Sequence, residues 1–125
     1  VSASTALGRW TKSSDLTSAV AQLTSDARHA LTELELTSAS TKELHTVCSV
    51  LDFETLQANA SLPTPDTQTT NLLSAAYTDL GSGANECYAA GPSPSKRRLA
   101  ITYLRRAGAE LAEAEARVGT VTGSS

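Results

Sequence analysis

From Leu16 onward, apolar side chains recur at Leu16, Val20, Leu23, Ala27, Ala30 or Leu31, and Leu34. These alternating steps of four and three keep one face of an α-helix against a core. The period lapses at residues 37–40 (TSAS), types that prefer caps and turns. The spacing predicts a first helix from a Ser14 N-cap to about Leu36.

Three further segments repeat the pattern. Ser40 followed by Glu43 is a capping-box signature, and the helix it opens carries Leu44, Val47, Cys48, Leu51 and Leu56 inward. Leu62-Pro63-Thr64-Pro65-Asp66 breaks that helix. It also opens the next, with Thr64 as N-cap and Pro65 at the first helical position. The third face is Leu73, Ala76, Tyr77, Leu80, Ala84 and Cys87; Gly81 and Gly83 within it each cost about 1 kcal/mol relative to alanine, and weaken it, bend it or admit a close neighbour. Ser93-Pro94 starts a fourth helix with Ala100, Tyr103 or Leu104, Ala107, Leu111, Ala114 and Val118 inward, ended by Gly119. No stretch alternates as a strand does. Four amphipathic helices on short joints predict an all-α, up-down-up-down four-helix bundle over residues 14–119. Residues 1–13 read as a flexible linker whose Trp10 docks on the end of the bundle, and residues 120–125 as a tail.

At 125 residues one core can be buried without metal. Only five residues are aromatic, so that core is Leu, Val and Ala, which favours close helix packing over a wide cavity. A net charge of −3 argues against nucleic acid as a partner. No apolar run is long enough to span a membrane. The absence of an initiating Met suggests a processed chain or one cut from a longer protein, with a signal or membrane anchor lost upstream.

Cys48 and Cys87 stand 39 positions apart, with no CxxC or HxxxH pattern near them. A disulfide is the preferred reading, ahead of buried thiols or a metal site. A straight, tightly turned hairpin would hold these cysteines about 15 Å apart, whereas a disulfide needs Cα atoms within about 7 Å. Bonding therefore requires the second helix to stop near Leu56 with residues 57–64 extended, or a bend at Gly81 or Gly83. A bond would imply an oxidising compartment.

Candidate sites are sparse. Lys96, Arg97, Arg98, Arg105 and Arg106 concentrate half the basic residues in eleven positions. They are either a solvated face paired to neighbouring acids or a contact surface for an anionic partner. His45 sits at the edge of a buried face. With Tyr77, Tyr88 and Tyr103 it could line a pocket between helices. Asp52, Glu54, Glu110, Glu113 and Glu115 read as solvated helix faces. Serines and threonines cluster at helix ends, where capping accounts for them, so no catalytic residues, cofactor or metal site are assigned and an enzyme is not expected. Asn59-Ala60-Ser61 matches a glycosylation sequon.

An inward Cys48, a Leu-Pro-x-Pro-Asp joint at residues 62–66, the Ala76-Tyr77 helix, Cys87 and a last helix rich in Ala, Arg and Glu together resemble the small exported helical proteins and lipoproteins of actinobacteria. The resemblance covers residues 14–118; it implies export and a cysteine pair and transfers no active site. The expected function is a non-enzymatic extracytoplasmic module that binds a protein or a cell-envelope component. The alternative is a carrier of haem, a lipid or a metal ion.

Overall fold

The computed structural model describes residues 1–36 and 38–123. Among them the chain is all-helical, with five helices rather than four: α1 (Ala3–Ser13), α2 (Leu16–Glu35), α3 (Thr41–Asn59), α4 (Thr67–Ala90) and α5 (Pro94–Thr122). The additional helix is α1, in the segment expected to be a linker. Its N-cap Ser2 accepts from the Thr5 amide at 3.1 Å, and Leu7 is completely buried. An 11-residue helix is marginal alone. Burial of Leu7 and packing on α5 and α2 stabilise it.

Helices α2 to α5 share one Leu/Ala core. The inward positions read from the period are buried, except that Val47 and Val118 are only partly buried and Leu56 is exposed while Thr55 takes the inward place, its hydroxyl donating to the Leu51 carbonyl at 2.7 Å. At the fourth expected face Leu104, not Tyr103, enters the core.

Three helix boundaries differ from the expected ones. The N-cap of α2 is Asp15, in the left-handed region at φ 52°, which short polar side chains tolerate. Asp66, not Thr64, caps α4, accepting from the Thr69 amide at 2.9 Å. Thr64 instead bonds to Thr70 and Asp66 within the joint. Helix α5 runs past Gly119 to Thr122 and ends at Gly123, φ 75°; Ser124 and Ser125 of the expected tail, and Thr37 of the first joint, lie outside the described residues. Ser40 and Ser93 cap as expected.

Cys48 and Cys87 are bonded, with Cα atoms 6.0 Å apart. Cys48 lies eleven residues before the end of α3 and Cys87 twenty after the start of α4, an offset of about 13 Å at 1.5 Å per residue. The early stop at Leu56 does not provide it, since α3 runs on to Asn59; residues 60–66 connect the two helices across that offset.

The longest helix pair is α4 with α5. Gly83 permits its closest approach: a Cβ there would lie 2.6 Å from Leu104 Cδ2 and 3.2 Å from Tyr103 Cβ. At the turn end, Arg97 is only 9% exposed. Its guanidinium donates to the carbonyls of Gly91 (2.7 Å), Leu36 (2.9 Å) and Ala39 (3.0 Å), pinning the α2–α3 joint to the α4–α5 turn.

Candidate functional site

The residues expected to form an anion-binding patch are largely engaged within the chain. Arg97 is the clamp just described. Arg105 pairs with Glu35 of α2 at 2.8 Å. Arg106 lies 3.7 Å from Asp79 of α4 and over the Tyr103 ring at 5.7 Å. Lys96 and Arg98 are exposed and form no ion pair among the described residues.

The four residues suggested for a pocket fall in three places. His45 of α3 stacks on Tyr88 of α4, ring centroids 3.9 Å apart and 11° from parallel, one turn from the disulfide. Tyr103 faces Arg106. Tyr77, 3% exposed, helps line a cleft of about 540 Å³ between α2 and α3.

That cleft draws its walls from two facing helices. Ser18, Ala19, Gln22 and Leu23 come from α2, and Glu54, Gln57 and Ala58 from α3. Asp15 lies at the α1–α2 junction and Ser61 in the joint that Trp10 holds by donating its Nε1 proton to the Ser61 carbonyl at 3.4 Å. Trp10 thus docks on the bundle end, as its position suggests.

The electrostatics of the cleft are one-sided. Its lining holds two acids, Asp15 and Glu54, and no Lys, Arg or His. Glu54 hydrogen-bonds to Asp26, which with burial and the Asp26 charge pushes its carboxyl up to about 7. Gln22 donates to both Asp26 oxygens, at 3.1 and 3.2 Å. Burial pushes the Tyr77 phenol up to about 12. The Tyr77 hydroxyl and Glu54 Oε2 are shielded from solvent and have no hydrogen-bond partner. Unpaired buried polar atoms cost about 1 to 3 kcal/mol each.

A second acid pair, Asp79 and Glu110, joins α4 to α5. Burial, then Asp79, pushes Glu110 up to about 7, opposed by Arg106. Glu54 and Glu110 are therefore not the solvated residues expected. Their spacing contained a signal: Glu54 falls three positions after buried Leu51, and Glu110 three after buried Ala107, each at the edge of its apolar stripe. No group of three or more His, Cys, Asp or Glu among the described residues is placed to hold a metal ion.

The outer face of α3 was also not singled out in the sequence. Val50, Phe53 and Leu56 are 46%, 61% and 63% exposed, and the other exposed positions from Thr46 to Ala60 are Thr46, Ser49, Gln57, Asn59 and Ala60. Phe53 is the chain's single phenylalanine. No helix among the described residues is long and apolar enough to cross a membrane.

Fold and site together define a small, disulfide-bearing helical protein. No family model, curated protein or solved structure matches the chain.

Proposed function

We propose that this chain is a non-enzymatic extracytoplasmic module that docks a partner protein on the outer face of α3. The observation that carries the reading is the uncharged stripe of Val50, Phe53 and Leu56. A protein whose core is built almost without aromatics holds its one phenylalanine in solvent, where it stabilises nothing unless it is covered. The stripe is bordered by Ser, Thr, Gln and Asn, with Asp52 beside Phe53 and no Lys or Arg, which favours a protein surface over anionic lipid.

Rigidity supports the same reading. Cys48, on the opposite side of α3 from the stripe, is covalently tied to α4, so the face is preorganised and little ordering is needed on binding. The disulfide also fits an oxidising compartment outside the cytoplasm, in keeping with the exported helical proteins that the sequence resembles.

Site-specific photo-crosslinking in the source cell tests this. A benzoylphenylalanine at position 53 should yield a discrete adduct that disappears when Val50 and Leu56 are changed to serine. The same probe at exposed Lys12 should yield none. Equal labelling from both positions, or none from position 53, would overturn the proposal.

A further inference from the structure

We propose that the cleft between α2 and α3 is a binding site for a small organic ammonium ion, with Glu54 and Tyr77 as its polar contacts. The reading is independent of the docking face on α3.

A volume of about 540 Å³ lies in the range of small-molecule sites. Leu16, Ala19, Leu23 and Ala58 give it an apolar wall suited to an alkyl chain. Its charged groups all favour positive charge. Asp15 and Glu54 are in the lining, Asp26 stands against Glu54, and no cationic side chain lines the cleft to neutralise them.

Two groups in this region lack what an ammonium ion supplies. The Tyr77 hydroxyl is buried without a partner, and the shielded Glu54 carboxyl has only another acid, Asp26, beside it; both accept hydrogen bonds from an N–H. Glu54 is half-buried and lines the cleft. The Tyr77 ring adds an aromatic surface for the cation. Gln22 spends its amide protons on Asp26, leaving its carbonyl oxygen as a further acceptor. A divalent metal would need six or so oxygen ligands, and the described acids do not gather in that way.

Binding should be linked to protons. The titratable groups facing Glu54 are Asp26 from α2 and Tyr77 from α4, with Asp15 at the rim. A cation favours the ionised carboxylate, so affinity should rise with pH through about 7.

The test is titration of the oxidised, full-length protein with n-butylamine hydrochloride at constant ionic strength, using n-butanol and sodium butyrate as neutral and anionic counterparts. Trp10 fluorescence reports at the Ser61 rim, and amide NMR shifts locate the site. Butylammonium should bind saturably, shifting Gln22, Gln57 and Ser61, and more tightly at pH 8 than at about pH 5.5. Glu54→Gln should weaken it at least about tenfold and Tyr77→Phe by a smaller factor. If Tyr77→Phe fails to fold, Glu54→Gln alone decides. Equal binding of butanol, an unaffected Glu54→Gln, or no saturable shift at millimolar amine would each overturn the proposal.

Discussion

Asp66 and Arg117 join the start of α4 to the far end of α5 by two parallel hydrogen bonds, Nε to Oδ2 and Nη2 to Oδ1, each 3.0 Å long. Asp66 also caps α4, accepting from the Thr69 amide and, at 2.6 Å, the Thr69 hydroxyl. Asp66→Ala should therefore destabilise the fold by about 1 to 2 kcal/mol, the usual cost of a lost cap. Asp66→Asn should retain most of the cap and lose the ion pair. Urea unfolding of both variants checks this.

Stability should vary with pH in two opposing ways. Glu54 and Glu110 are pushed up to about 7 from an ordinary 4.5. Their contribution is present in full below pH 4.5 and is lost as pH rises through 7. Asp66 behaves oppositely: Arg117 and Thr69 hold it well below its ordinary 3.8, so its contribution is present above that value and lost in stronger acid. Melting temperature should peak on the acid side of neutrality. The double variant Glu54→Gln, Glu110→Gln should flatten the decline toward pH 8, and a decline left unchanged would refute the assignment.

Reducing the Cys48–Cys87 bond removes a cross-link spanning 39 positions. A loop of that size is worth about 4 kcal/mol in the chain-entropy account. Thiol titration should find no free thiol in the native protein and two after reduction, with a matching fall in the unfolding midpoint.

Two glycines in one helix should respond oppositely to the same substitution. Gly81→Ala meets nothing within 4 Å and should stabilise α4 by about 1 kcal/mol. Gly83→Ala drives a methyl into Leu104, whose own side chain is 1% exposed and has nowhere to go. It should destabilise by about 1 to 3 kcal/mol. Thermal melts of the two variants side by side make the comparison.

Arg97→Met should leave the buried Ala39 carbonyl and the part-buried Gly91 carbonyl without this donor and destabilise by about 1 to 3 kcal/mol. Arg97→Lys should rescue little, because a single ammonium cannot serve three acceptors on separate segments. Full rescue by lysine would show that the charge matters and the fork does not.

The long period from Leu16 to Leu34 and the Ser40 and Ser93 caps were legible because each is a local signal, readable within one or two turns. What was not legible depends on partners distant in sequence. Helix α1 needs Leu7 against α5 and α2, and no feature inside 13 residues reveals that support. Leu56 satisfies the period yet stands in solvent, since Thr55 satisfies its hydroxyl within α3 and can take the buried place. Arg97 reads as one more cation in a basic run until the carbonyls of Leu36 and Ala39, some sixty residues away, are brought to it. The cleft likewise joins Gln22, Glu54 and Tyr77 from three helices. In the sequence each is an isolated polar residue beside an apolar stripe.

The Arg97 clamp and the disulfide both lie toward the end of the bundle where α4 turns into α5. At the other end the Asp66–Arg117 ion pair ties α4 to α5, while α1, Ser61 and the mouth of the cleft are held by side-chain packing and hydrogen bonds. The molecule is thus built like a tuning fork, with a fixed stem and freer prongs. Amides near Ser61 and along α1 should exchange with solvent through local opening, while those around Cys48 and Cys87 wait for global unfolding. Breathing at the cleft therefore leaves the clasped end undisturbed.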